Sequence, residues 1–386
     1  MLVPESKLRM MPKLLMQTRR QFVSGLIHGI AASTFLERVR GEERLIYPKC
    51  TMLPNWNIKE SICSERIISR VAGIRPFRKN GFNLEVETIG SKTIFHNYGH
   101  GGAGITMSWG TAAYVVNKVN SMSIPKTNTL AVLGSGAVGL ATASRLDTAG
   151  YKVKIYAKDA IMNSTSAVAG ACVYPSLLVE PDKVTASFEK VCIDALGDSF
   201  HTFQSLLGKR YGIEWVPVFY SAEQRPTLSW EDLLALTINP HPTRATSAPI
   251  FRHSNMECTY SLIVNMPIYL AEMYRELVER GIVFQKKTIL DIDDLERLDE
   301  TYIVNCMGVG ASCMGRNDLT PIRGQAAIID KLNIEHAFGI EESGFYLYPR
   351  RNSIVIGGGA YINETNKAYD MTMEKNMIAR IRQALA

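Results

Sequence analysis

The chain has 386 residues, 46% apolar and 21% charged, a balance that suits folded domains and excludes a disordered polymer. It contains no run of 18 apolar residues, so no membrane-spanning helix is expected. The formal charge of +6 sits mostly in the first 40 residues, which carry +5; a body of +1 makes no electrostatic case for nucleic-acid binding. Seven cysteines form no CxxC pair, and no histidine–carboxylate cluster has metal-ligand spacing, so buried reduced thiols and no metal site are expected.

Residues 1–45 read as an export-signal-like leader. The pair Arg19-Arg20 before Gln21-Phe22 is followed by a weakly apolar run, Val23 to Leu36. A basic start and a short apolar core resemble a twin-arginine signal. That route would carry a folded, cofactor-loaded protein through the export machinery to the periplasm; without a working leader the protein would stay cytoplasmic. A frayed amphipathic helix is the alternative.

Two unusual segments come next. In Gly73-Ile74-Arg75-Pro76 the proline fixes the chain after an arginine, the side chain best shaped to grip a carboxylate with two parallel bonds. In Phe95-His96-Asn97-Tyr98-Gly99-His100-Gly101-Gly102-Ala103-Gly104-Ile105-Thr106, four glycines in six residues (99–104) rule out a stable helix or ordinary strand and let backbone approach a flat ligand. His96 and His100 read as structural or flavin-shell groups rather than catalytic ones, and Tyr98 and Trp109 as packing groups. Residues 120–128, with Pro125, read as a linker.

The middle of the chain carries a dinucleotide fingerprint. Thr129 to Leu133 reads as a buried parallel strand, Gly134-Ser135-Gly136-Ala137-Val138-Gly139 follows directly, and Leu140 to Ala149 has helical spacing up to Gly150. Lys152 to Ala157 reads as the next strand, and Asp159 lies 20 residues after Gly139. Gly134 permits the tight turn, Gly136 the approach of a pyrophosphate to the helix N-terminus, and Gly139 close packing of helix and strand, while Asp159 can accept from ribose hydroxyls. The motif alone does not separate FAD from NAD. Beyond it, Phe82 to Ile89, Glu214 to Tyr220 and Cys258 to Val264 read as strands, and Pro267 to Arg280 and Met373 to Ala386 as helices.

Taken together, Gly73 to Pro76, His96 to Thr106, Gly134 to Gly139, Val168-Ala169-Gly170, Val304 to Gly308, Arg323-Gly324-Gln325, and Tyr348-Pro349 running into Ile356-Gly357-Gly358 resemble the D-amino-acid oxidase family, which includes D-aspartate oxidases. The resemblance spans about residues 65–370. Its order is altered: the Arg-Pro and His-Asn-Tyr-Gly-His-Gly-Gly elements end the chain in the family and come first here, as in a circular permutation. It implies an α/β (α+β) protein, with an FAD-binding Rossmann-like parallel sheet beside a substrate domain built on a mostly antiparallel sheet. Residues 46–119 would be the transposed family C-terminal segment, 129–180 the FAD-binding core and 181–300 mainly substrate domain. Residues 301–330 would return to the FAD-binding domain, and 331–386 would supply substrate-domain strands and a terminal helix.

The resemblance also implies roles. Arg75 would hold the substrate carboxylate, and Gly102 would receive the amine on its carbonyl. Gly134, Ser135, Gly136, Val138 and Gly139 would take the pyrophosphate, Asp159 the ribose, and Lys158 would neutralise phosphate. Ser164 and Thr165 would lie near the flavin phosphates, with Gly170 close by. Gly308 would meet the cofactor at a strand end, and Gly101, Gly104, Ile105 and Thr106 would line the flavin ring. Hydride would pass from a D-amino acid's α-carbon to flavin N5, and oxygen would reoxidise the flavin to give hydrogen peroxide, with the imine hydrolysing to a 2-oxo acid and ammonia. Two positions depart from the family. Its glutamine after Ala-Gly is replaced within Ala171-Cys172-Val173-Tyr174. An ungapped alignment through Ser261-Leu262-Ile263 puts His253 and Asn255 at its active-site tyrosines, with Tyr260 the nearest tyrosine. Oxidation of glycine or another small amine, and a non-catalytic flavin-binding protein, therefore stay open. The resemblance allows a homodimer.

Overall fold

A computed structural model describes residues 58–386 except 222–228, 239–242, 245–250, 252–255, 316–317, 331–338, 343 and 386. The leader, Cys50, His253 and Asn255 lie outside the described residues. None of the described helices is long and apolar enough to cross a membrane.

The first sheet has six strands in the order β2 (Val86–Ile89), β3 (Lys92–His96), β10 (Tyr302–Asn305), β4 (Thr129–Leu133), β5 (Lys152–Ala157) and β9 (Val283–Lys286). All pairings from β3 to β9 are parallel, and only the edge strand β2 runs antiparallel. Leu130 to Leu133 are buried, as an apolar central strand covered on both faces requires. Helix α2 (Ser108–Ser121) packs on α3 (Ala137–Thr148), and α3 in turn covers β4 and β5. Leu140, Ala143 and Leu146 of α3 are all fully buried, each leucine contributing about 1.5–3 kcal/mol of burial. Gly150, at φ +86°, turns the chain out of this helix into β5. The expected helix started at Leu140; the observed one starts at Ala137, because its first turn is the glycine fingerprint and carries no apolar periodicity.

The second sheet has eight strands in the order β1 (Ile67–Arg78), β11 (Leu319–Asp330), β14 (Ser353–Ile362), β13 (Phe345–Arg350), β12 (Gly339–Glu342), β6 (Ile213–Ser221), β8 (Met256–Val264) and β7 (Thr243–Arg244). Its pairings are antiparallel except β12 with β6. Helix α8 (Met371–Ala384) buries Met377, Ile378 and Ile381 against it. The expected strand from Phe82 is shorter than read: Asn83 makes only an isolated bridge to Tyr98 and accepts the Glu85 N–H on its side chain, an Asx turn, and the continuous strand starts at Val86. Helix α6 (Met266–Glu279) buries Leu270, Met273 and Leu277 of the stripe Ile268, Leu270, Met273 and Leu277 read from the sequence, with Tyr269 buried and Ile268 only partly so, and Gly281 at φ +84° ends it.

Both sheets draw on strands scattered along the chain, so neither is one continuous segment. The short helix α1 (Ile58–Ser61) meets the end of α8, where Arg382 pairs with Glu60 at 3.1 Å. Of the six described cysteines three are buried and three partly exposed, and no described group of histidine, cysteine and carboxylate residues could hold a metal.

Candidate active site

A single long cavity runs from the carboxyl ends of β4, β5 and β10 to the face of the second sheet formed by β1, β11 and β13. The carboxyl ends of parallel strands are where an open α/β sheet binds ligands.

At the first end the fingerprint forms the wall. Gly134 turns at φ +102°, and a Cβ there would stand 2.5 Å from the Cys306 carbonyl oxygen, so only glycine fits. Ser135, Gly136 and Val138 line the cavity. Gly139 does not; a Cβ on it would overlap the Gly134 carbonyl oxygen, so its work is to let α3 close on the turn. The first N–H groups of α3 face this wall without intrahelical partners, the arrangement that receives phosphate. Ser166 Oγ accepts one of them, from Ala137 N, at 3.0 Å. Lys158, Asp159, Ser164 and Thr165 also line this part, and Lys158 lies 3.9 Å from Asp159 with both side chains largely in solvent. Two groups missed in the sequence join them: Tyr156, whose hydroxyl donates to Glu300, and Lys287.

The middle of the wall is the second glycine cluster. Gly101, Gly102, Gly104 and Ile105 line it, as does Gly308 opposite, at φ +58°. Gly101, at φ +56°, is packed so tightly on Leu177 that a side chain would overlap its carbonyl oxygen. Thr106 is placed differently from expectation. It is 1% exposed and outside the cavity, its hydroxyl donating to the Tyr174 carbonyl at 3.0 Å and accepting from the Tyr174 N–H. It ties the glycine loop to the segment after Gly170 rather than presenting its side chain to a ligand. His100 lines the cavity, stacks on Phe82 and bonds Thr111 through Nε2 at 3.2 Å. Burial, with Arg78 nearby, depresses its pKa to about 3, so the ring is neutral at physiological pH. His96 bonds Glu87 and Asn305, and Trp109 donates to Tyr269; both are framework groups.

The far end is polar and positively charged. Val71, Gly73 and Arg75 lie on one face of β1 toward the cavity, which Ile74 and Pro76 also line. Arg75 Nη1 donates to the Gly359 carbonyl at 2.9 Å, and no carboxylate partners the guanidinium among the described residues. Beside it lie Gly324, Gln325, Tyr346 and Lys367. Gly324 has no room for a side chain, because the Arg75 guanidinium occupies that space.

Tyr260 does not belong to this wall. It sits on β8 opposite Pro217, on strands remote from β1 and β11 in the sheet. The tyrosine the structure brings to Arg75 is Tyr346 of β13. Its ring stacks on Tyr348 with centroids 4.6 Å apart and rests against Gly170 and Gly357, neither of which could carry a Cβ without striking it. Gly170 is thus outside the cavity and serves as the floor under this ring. Burial raises the Tyr346 pKa, with the Arg75 and Arg350 guanidiniums opposing, so the phenol remains a donor at neutral pH. A usable signal was present: Tyr346, Tyr348 and Arg350 alternate on one strand face leading to a glycine-rich partner strand.

A glycine cradle, a helix N-terminus and an acid at the next strand end suit an extended dinucleotide. An arginine with free donors beside a phenol suits a carboxylate. The family model for the FAD dependent oxidoreductases called DAO matches residues 129–386. The chain is 27% identical over 257 residues to a D-amino-acid oxidase of Schizosaccharomyces pombe, an alignment covering 61% of this chain and 69% of that protein. It is 25% identical over 234 residues to a D-amino-acid oxidase of Streptomyces coelicolor, covering 59% and 69%. A glycine oxidase structure from Bacillus cereus shares the fold, with a TM-score of 0.50 and 16% identity over 67% of this chain and 78% of that one.

Proposed function

Since the chain belongs to the DAO family of FAD-dependent oxidoreductases, we propose that it oxidises D-amino acids, using FAD as its cofactor and oxygen as the acceptor. The observation that carries the substrate reading is the pairing of Arg75 with Tyr346 at the end of the cavity away from the fingerprint. A guanidinium with donors to spare and a neutral phenol together bind a carboxylate through charge-assisted and neutral hydrogen bonds. The Gly102 carbonyl, in the same wall, is an acceptor for a substrate ammonium or amine.

A flavin held there would supply the hydride acceptor for the amino acid's α-carbon. The protein's part is orientation. Arg75 and Tyr346 fix one substituent of the α-carbon and Gly102 another, which leaves the α-hydrogen one direction in which to point. The histidine in the wall, His100, is neutral and already bonded to Thr111, so it is framework rather than base. The Ser135–Val138 backbone, Ser164, Thr165 and Ser166 would hold the phosphates, and Asp159 the ribose.

We further propose that the altered motif order is a circular permutation of the family chain. The support is spatial: the family model begins at β4, residues 58–121 precede it in this sequence, and α1 is joined to α8 by the Glu60–Arg382 pair.

The experiment for the substrate reading is Arg75→Ala. Losing a charged two-point contact should lower kcat/KM for a D-amino acid by about 100-fold or more, with stoichiometric FAD retained. Unchanged kinetics would refute the carboxylate clamp. A variant and a wild type that both stay inert with every D-amino acid, yet turn over a small amine lacking a carboxylate, would favour the amine-oxidase reading.

A further inference from the structure

We infer that Glu87, although outside the cavity, is a positioning residue for FAD, acting through His96 and Asn305 on the wall that follows β10. Met307, Gly308, Val309, Gly310, Ser312 and Cys313 form that wall. They belong to a turn and the 3-10 helix Gly308–Met314, in which Gly308 sits at φ +58°. Asn305, fully buried at the end of β10, holds the segment at both ends. Its Oδ1 accepts the Met307 N–H at 3.2 Å, and its Nδ2 donates to Met314 Sδ at 3.1 Å. The same stretch bears on the fingerprint, because the Cys306 carbonyl oxygen lies 2.5 Å from where a Cβ on Gly134 would stand.

The orientation of the Asn305 amide is set from outside the wall. A backbone N–H only donates, so Met307 fixes Oδ1 toward itself and turns Nδ2 away. The second Nδ2 hydrogen points at His96 Nδ1, 3.2 Å away, which must accept it. The ring's own hydrogen is then on Nε2, and it is donated to Glu87 Oε1 at 2.8 Å. Every bond from Glu87 to Met307 thus runs in one direction through imidazole and amide, and a charged acceptor at its head strengthens the rest. The three side chains stand on the adjacent strands β2, β3 and β10, with His96 directly opposite Asn305 in the register. His96 is fully buried, and Tyr98 meets its ring edge-on at 5.4 Å. Glu87 stands on the edge strand with its side chain 26% exposed, so it can be changed without opening the core. Without Glu87 the ring loses the acceptor that fixes its tautomer. A hydrogen on Nδ1 would face the Asn305 amide hydrogens, and the amide would give up either His96 or Met307. That frees the segment whose backbone closes the cavity opposite the glycine cluster, and the cost falls on cofactor binding.

The test titrates FAD into the cofactor-free full chain by flavin fluorescence, with the melting temperature of each variant recorded alongside. Glu87→Ala should raise the Kd for FAD by about tenfold or more, the scale of losing a charge-assisted bond in a buried chain. Glu87→Gln keeps an oxygen for the His96 Nε2–H and should stay within about threefold of wild type. Because Glu87 acts through Asn305, the Glu87→Ala effect should shrink to about twofold or less in an Asn305→Ala background. An unchanged Kd in Glu87→Ala overturns the inference, and so does a loss confined to the melting temperature, the mark of a merely structural pair. A full Glu87→Ala effect in the Asn305→Ala background overturns it too. Glu87→Gln as weak as Glu87→Ala would mean that charge alone acts rather than an oriented chain, and overturns it as well. Should Asn305→Ala not fold, the comparison of Glu87→Ala with Glu87→Gln still decides. None of these readouts needs an amino-acid substrate, so the oxidase reading can fail while this assignment stands.

Discussion

His100 shows how one side chain can set a pH limit on the whole site. Its pKa is near 6.5 in an unfolded chain and about 3 in the folded one, because burial excludes the charged ring. Between those values the unfolded chain binds the extra proton, so the contribution is present in full above pH 6.5 and is lost as pH falls toward 3. By pH 5 the loss from this one group is about 2 kcal/mol. Urea unfolding of wild type and His100→Gln at pH 7 and pH 5 checks it. The wild type should lose about that much more stability than the variant between the two values; equal losses would mean the ring titrates normally. At the same scale, Arg75 was legible because Pro76 and the adjoining glycine mark a special backbone. Tyr346 was not. Its place depends on β13 lying beside β14, with Tyr346 opposite Gly357, a register that no local pattern states. Aligning through Ser261 instead led to Tyr260, on a strand that the sheet order keeps away from Arg75.

The element that does most to fix the cofactor end is the turn from β4 into α3. It was readable because everything it needs is contiguous: a short apolar strand, three glycines with different steric duties, and a helix that buries Leu140 and Leu146. Gly139 carries the sharpest prediction. Its missing Cβ lets α3 close on the Gly134 carbonyl, so Gly139→Ala must push the helix N-terminus away from the turn. We expect the variant to purify with little or no FAD while β6, β8 and α6 keep the fold recognisable by circular dichroism; full flavin content would show that the close approach is dispensable. Thr106 marks the limit of such reading. The glycine-rich run around it lines the cavity, but which way a threonine turns at its end is decided by Tyr174, 68 residues away.

At the scale of the molecule, two sheets woven from distant segments bring Arg75, Gly134 and Tyr346 to one cavity. The motifs announced the fold class, since each occupies a short stretch; the weave is tertiary and left no local mark. The proposed permutation predicts that a chain rebuilt as residues 122–386 followed by a flexible linker and residues 58–121 folds and binds FAD as the natural order does. Failure of that chain alone, with the natural order intact, would mean that residues 122–128 do more than connect α2 to β4.

The proposed oxidation of D-amino acids is tested most directly by the visible spectrum of the FAD-loaded protein without oxygen, before and after a mixture of D-amino acids and, separately, its L counterpart. Bleaching of the flavin by the D set and not by the L set is the predicted result. A yellow protein that neither set bleaches would contradict the proposed function, because the cavity would then hold its cofactor without oxidising any amino acid offered to it.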